Sequence, residues 1–143
     1  MTDSTYHGSC FCGAVKLTVT GTPAGMGYCH CESCRHWSAG PVNGFSLWPP
    51  TQVQVTQGAE QIGTYHKTDN SHRQWCKTCG GHLMTRHPGM QLIDVYAAIL
   101  PQLKFTPGLH VFYGESVLRI ADGLPKFKDV PAEMGGSGDT LPE

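Results

Sequence analysis

Seven cysteines gathered into three short segments constrain this chain more than any other feature. The segments are Cys10-Phe11-Cys12, Cys29-His30-Cys31-Glu32-Ser33-Cys34 and Cys76-Lys77-Thr78-Cys79-Gly80-Gly81. Thiols this close in sequence can converge on one metal ion, and each convergence ties together loops that are distant along the chain. Four thiolates close a tetrahedral structural zinc site, whereas three leave one coordination position open for chemistry. Seven divides naturally into four plus three. Disulfides fit poorly, because the number is odd and the two thiols of a C-x-C segment rarely pair with each other.

The spacing suggests which four and which three. A C-x-x-C followed by a glycine pair forms a knuckle that supplies two ligands and needs a second pair. Taking Cys10 and Cys12 as that pair leaves Cys29, Cys31 and Cys34 together as a set. Drawing instead on the middle segment would strand Cys10 and Cys12. The expected structural zinc ligands are therefore Cys10, Cys12, Cys76 and Cys79, and the candidate catalytic residues are Cys29, Cys31 and Cys34. The second zinc would keep a fourth position for water, a substrate sulfur or an imidazole. Three thiolates leave that site with a net charge of about −1, so it lowers the pKa of bound water less than three imidazoles would. Such a site suits a substrate thiolate better than a hydroxide, which points to sulfur chemistry rather than hydrolysis. The competing reading is a second structural metal completed by a histidine. The spacings match no ferredoxin pattern, and Gly80-Gly81 would not start the helix that activates a thioredoxin-type thiol.

The remainder of the chain reads as mainly β. Eighteen glycines and ten prolines in 143 residues imply many turns and few long helices, and 39% apolar content implies a modest core that a structural metal would reinforce. Val15, Leu17 and Val19 alternate with polar neighbours, as in a half-buried strand. Phe45–Trp48, the Val53/Val55 pair, Ile62–Tyr65, Leu83–Thr85 and Leu109–Tyr113 supply further strands. Gln91–Leu100 reads as a long strand buried on both faces, with a short buried helix as the competing reading. Glu32–Trp37 has room for one helical turn before Gly40-Pro41. A single zinc domain is expected over residues 1–128, and residues 129–143, rich in Pro, Gly, Ser and acidic residues, form a loosely held tail.

Ten Lys and Arg against eleven Asp and Glu leave no basic segment suited to a nucleic-acid backbone. No apolar stretch approaches the length of a membrane span, and the first residues lack the charged and apolar regions of a signal peptide. The expected compartment is the cytoplasm, where thiols stay reduced. Among the other polar residues, His30 lies between two ligands and reads as a surface residue or a support behind the metal. His36 and His82 are candidates for a fourth ligand or a proton shuttle. Arg35 is a candidate contact for an acidic substrate. Trp37, Trp48, Trp75 and Tyr96 read as core or sheet-face aromatics.

In this order the clusters resemble the glutathione-dependent formaldehyde-activating enzyme (Gfa) family, which also includes centromere protein V. The resemblance is carried by His7-Gly-Ser-Cys-Phe-Cys-Gly-Ala-Val15, Cys29-His-Cys-Glu-Ser-Cys-Arg35 with Ser38-Ala-Gly40, and Arg73-Gln-Trp-Cys-Lys-Thr-Cys-Gly-Gly81. Looser matches follow at Pro107-Gly-Leu-His-Val-Phe112 and Asp122-Gly-Leu-Pro125. The resemblance implies a β-tent fold of antiparallel sheets. It also implies a structural zinc on Cys10, Cys12, Cys76 and Cys79 and a catalytic zinc on Cys29, Cys31 and Cys34. The implied activity is that of a carbon–sulfur lyase joining glutathione and formaldehyde into S-hydroxymethylglutathione, so the implied partners are a small thiol and a small aldehyde. Tyr113-Gly-Glu-Ser-Val-Leu-Arg119 departs from the family by lacking a basic, Trp-containing segment. A zinc-stabilised protein-binding module without turnover is the alternative function.

Overall fold

The computed structural model describes residues 4–143. Ten strands form two sheets, of three and seven strands, with one α-helix among the described residues and several single 3-10 turns. This is the mainly β architecture expected from the turn-rich composition. The chain groups into two compact units, Met1–Ala24 with Ser46–Phe105, and Gly25–Phe45 with Thr106–Glu143.

The first unit holds the apolar core. Strands β1 (Thr5–Ser9), β2 (Lys16–Thr20) and β5 (Val53–Gln57) pair antiparallel in the order β1-β2-β5. The alternation of β2 puts Leu17 and Val19 inside and leaves Lys16 exposed. Strands β6 (Ile62–Thr68), β7 (Ser71–Cys76), β8 (His82–His87) and β9 (Leu92–Tyr96) follow one another as antiparallel neighbours. Val15, Leu17, Val19, Trp48, Leu83, Met84, Ile93, Val95 and Leu100 form one cluster, which also takes in Cys10 and Cys76. Trp48 donates its indole N–H to Ser46 Oγ at 2.9 Å, and Ser46 in turn donates to the Val95 carbonyl at 2.6 Å, so the buried indole carries no unpaired donor. The expected long strand over Gln91–Leu100 is shorter than its apolar run. It stops at Tyr96, and Ala97–Ile99 makes a 3-10 turn whose closing bond runs from Leu100 N–H to the Ala97 carbonyl.

In the second unit, β3 (Gly25–Cys29) pairs parallel with the two-residue β10 (His110–Val111), and α1 (Glu32–Ser38) follows at once. Strand β4 (Asn43–Trp48) comes next in the chain and gives Asn43–Phe45 to this unit. The interior here is aromatic and polar: Phe45, Val111 and Tyr113 are buried together with His30, His110 and Lys126. Phe112 ends β10 by adopting φ 54°, and Tyr113 N–H then reaches the Phe127 carbonyl. Within residues 129–143, Asp139 accepts from Lys128 N–H, Leu141 N–H reaches the Lys126 carbonyl, and Glu143 accepts from Gly123 N–H and Lys126 Nζ.

Candidate metal centres

Both units carry one cysteine cluster each. In the first unit, Cys10 and Cys12 sit on the turn between β1 and β2, while Cys76 ends β7 and Cys79 lies on the turn from there to β8. The two turns share one construction. Cys10 N–H donates to the Val15 carbonyl, and Cys76 N–H donates to the Gly81 carbonyl, so each loop is closed by a bond between residues five positions apart. Each contains a glycine at positive φ, Gly13 at 81° and Gly80 at 77°, in the left-handed region where a Cβ would be strained. Backbone N–H groups then turn in toward the sulfurs: Val15 to Cys10 at 3.3 Å and Gly81 to Cys79 at 3.4 Å.

The four sulfurs lie within 4.8 Å of one another. Cys10 Sγ is 3.7 Å from Cys12 Sγ, and Cys12 Sγ is 3.9 Å from Cys76 Sγ. Four sulfurs bound to zinc at about 2.3 Å stand about 3.8 Å apart in a tetrahedron. A disulfide would require about 2.05 Å. The donor set, its spacing and its N–H groups therefore fit a tetrahedral metal. Proton affinity is divided unevenly among the sulfurs. The Gly81 and Cys12 N–H groups pull Cys79 down to about 6, and Ala14 N–H acts likewise on Cys12, but burial and the crowded sulfurs override it and push Cys12 up to about 11.

In the second unit, Cys29 ends β3, Cys31 is the N-cap of α1, and Cys34 lies in its first turn. The capping sulfur of Cys31 accepts from Cys34 N–H at 3.2 Å, which aims the first helical turn at the cluster. Cys29 and Cys34 sulfurs are 3.6 Å apart, and all three sulfurs fall within 4.8 Å. Crowding by Cys31 and Cys34, with burial, drives the Cys29 thiol far above its ordinary value, as expected of thiols stacked where a cation would sit. Two cysteine clusters that could hold metal ions are thus present, and neither includes a histidine among the described residues.

The other candidate residues are placed as follows. His36 is exposed and stands 3.8 Å from Glu32 on its own helix. His82 lies on β8, where burial and the charge of Arg73 lower its pKa. Arg35 spends its guanidinium on the chain itself, donating to the His30 carbonyl and to the Glu115 carbonyl at 3.0 Å each. Glu115 in turn accepts from Glu32 N–H at 3.0 Å, satisfying a free donor at the start of α1. The departing segment around Tyr113 therefore braces the helix that carries Cys34. Of the two readings of His30, the surface one is excluded: the residue is fully buried and bonded to His110. Burial, and the nearby charges of Lys126 and Arg35, lower its pKa to about 4.

The family model described as glutathione-dependent formaldehyde-activating enzyme matches residues 5–115. This chain belongs to the Gfa family. It is 35% identical over 75 residues to an uncharacterized lyase of Schizosaccharomyces pombe, an alignment covering 52% of this chain and 53% of the relative. It is 30% identical over 101 residues to a Halomonas elongata protein whose name provisionally assigns it to glutathione-dependent formaldehyde activation, covering 66% and 64% of the two chains. The chain thus spans somewhat over half the length of each of these relatives. A crystal structure of a Rhodobacter sphaeroides protein shares the fold, with a TM-score of 0.57 and 24% identity over 68% of this chain and 90% of that one. No helix among the described residues is long and apolar enough to cross a membrane.

Two features of the second unit were beyond sequence reasoning. The pairing of His110 with Asp122 joins two segments that carried only the looser resemblance, at Pro107–Phe112 and Asp122–Pro125. Lys126 is almost fully buried and bonds Asp122, Glu143 and the Leu124 carbonyl. The histidine within a motif and an aspartate shortly after it were visible signals, but nothing in their spacing required a contact.

Proposed function

We propose that this Gfa-family chain is a zinc-dependent carbon–sulfur lyase joining a small thiol to a small aldehyde, with glutathione and formaldehyde the first pair to test. Cys29, Cys31 and Cys34 would hold the catalytic zinc, and Cys10, Cys12, Cys76 and Cys79 the structural one. The observation that carries this reading is the three-sulfur cluster on β3 and α1, short of the fourth ligand that closes a structural site. Zinc there would supply a Lewis acid and keep a substrate thiol deprotonated. The chain's part is to hold the three sulfurs in place, through the Cys34 N–H bond to Cys31 and the Arg35 staple between the His30 and Glu115 carbonyls. In the reaction the thiolate sulfur bonds the carbonyl carbon, and the carbonyl oxygen takes a proton to become a hydroxyl. A reducing compartment such as the cytoplasm suits seven clustered free thiols.

The test is zinc content and turnover of glutathione with formaldehyde, followed by NMR, for the wild type and Cys31→Ser. The variant is expected to lose about one zinc per chain and nearly all turnover while remaining folded. Full activity with unchanged metal content in Cys31→Ser would overturn the assignment. Two zincs of equal tightness with no turnover would favour a binding module instead.

A further inference from the structure

Behind the Cys29–Cys34 cluster runs a chain of hydrogen bonds that the cysteines themselves do not require. His30 Nε2 lies 2.8 Å from His110 Nδ1, and His110 Nε2 lies 2.8 Å from Asp122 Oδ2. Both imidazoles are fully buried. Their ring planes are fixed by neighbours: Tyr28 stacks on His110 at 4.7 Å between centroids, and Tyr113 meets both rings edge-on at 5.0 and 5.7 Å. The remaining nitrogen, His30 Nδ1, is buried with no hydrogen-bond partner among the described residues.

The direction of the protons in this chain follows from its far end. Asp122 Oδ1 accepts from Lys126 Nζ at 2.5 Å and from Leu124 N–H at 3.0 Å. Oδ2 is then left as an acceptor for His110, so the Nε2 of His110 carries a hydrogen. A neutral imidazole has one N–H. His110 Nδ1 is therefore a lone pair, and the hydrogen between the two rings belongs to His30 Nε2. That leaves His30 Nδ1 bare. A doubly protonated His110 would instead donate to His30 Nε2 and force the His30 hydrogen onto Nδ1, a buried nitrogen with no partner to accept it among the described residues.

We propose that Asp122 and His110 are positioning residues that lock His30 in its Nε2–H tautomer, so that Nδ1 is a buried acceptor within the Cys29-His30-Cys31 segment for a hydroxyl, a thiol or a bound water. The lock concerns proton positions, and it stands whether or not the cluster turns over an aldehyde. It also explains why Lys126 is buried: its ammonium occupies Asp122 Oδ1 and thereby reserves Oδ2 for the histidine.

Asp122→Asn tests the lock by reversing it. The amide oxygen must face the two donors, Lys126 Nζ and Leu124 N–H, so the amide NH2 faces His110 Nε2. His110 then becomes the Nδ1–H tautomer and donates to His30 Nε2, and His30 switches to Nδ1–H. Lys126 keeps Glu143 and the Leu124 carbonyl, so its ammonium stays paired. Long-range proton–nitrogen correlation spectra of the intact protein, labelled at histidine nitrogen, read each tautomer directly. The wild type is expected to show Nε2–H on both His30 and His110, and Asp122→Asn to show Nδ1–H on both. A wild-type His30 in the Nδ1–H form, a doubly protonated His110, or unchanged tautomers in folded Asp122→Asn would each overturn the proposal. Should the variant not fold, the wild-type spectrum alone decides.

Discussion

Asp94 places a carboxyl on β9, the strand that otherwise gives Ile93 and Val95 to the core. Register sets it beside Thr85 and Arg73 across β8 and β7. Its Oδ1 is buried without a hydrogen-bond partner among the described residues. Burial raises its pKa to about 7, against the opposing pull of the Ser46 N–H and the Arg73 charge. The folded value stands above the unfolded value of about 3.9, so in that interval the folded chain holds a proton that the unfolded chain has released. Stability contributed by this group is complete below about pH 4, declines as pH rises, and is lost once pH passes the folded value. Asp94→Asn is expected to flatten this slope and to exceed the wild type at pH 8 by on the order of 2 kcal/mol. Urea unfolding of both proteins at several pH values checks this, since their difference isolates Asp94 from the histidines. Equal slopes would refute it. Gly58 makes a steric case at the same scale. Its φ is 75°, and an added Cβ would collide with the Ala14 carbonyl. Gly58→Ala should cost about 2–3 kcal/mol in the same assay, and a loss within about 0.5 kcal/mol, as at an ordinary surface site, would count against that backbone conformation.

The segment around Gly58 shows why the first cysteine cluster behaves as one element. Gln57 Nε2 donates to the Gly13 and Ala14 carbonyls beside one knuckle. Gln61 accepts from Lys77 N–H and from the Thr78 hydroxyl on the other. The knuckles are therefore stapled together by protein hydrogen bonds before any metal is considered, and a metal would add to that frame. On the proposed ligand set, Cys76→Ser should lose one zinc and lower the thermal midpoint by 10 °C or more, a rough conversion of several kcal/mol for a domain of this size. Calorimetry with metal analysis checks it, and an unchanged midpoint after loss of one zinc would remove the structural role. The cysteine knuckles were legible because a thiol cluster has few uses and glycine at positive φ marks the turn. Strand β2 was legible from its alternation. By contrast β3, with the sequence Gly-Met-Gly-Tyr-Cys, offers no apolar period at all. Gly27 is glycine because a Cβ would strike the Leu109 carbonyl and the Phe45 ring, and that reason lies in tertiary contact. The run of hydrogen bonds from buried His30 to Glu143 was equally invisible, since its members are polar residues that composition assigns to the surface.

Each cysteine cluster lies wholly within one compact unit, and the two units differ in what holds them. The first owns the continuous apolar cluster of Val, Leu, Ile, Met and Trp side chains. The second relies on aromatic packing, the Asp122–Lys126–Glu143 ion pairs and the histidine pair. Hydrogen bonds from Lys126 and His110 outweigh the partial burial of Asp122 and hold it well below the usual carboxylate range, so its carboxylate stays charged through the neutral range. A unit with fewer apolar contacts depends more on cross-links, and amide exchange should report that dependence locally. On the proposed metal sites, chelator mild enough to empty only the three-cysteine cluster is expected to speed exchange several-fold at amides of Gly25–Phe45 and Thr106–Glu143. Amides of β1, β2 and β5–β9 should keep their protection until the four-cysteine site is also stripped. Hydrogen exchange by mass spectrometry, run alongside zinc counts, resolves the two steps. Simultaneous deprotection of both units on loss of the first zinc would mean that the clusters do not divide the molecule's stability between them. It would also mean that the three-cysteine site is no less structural than the four.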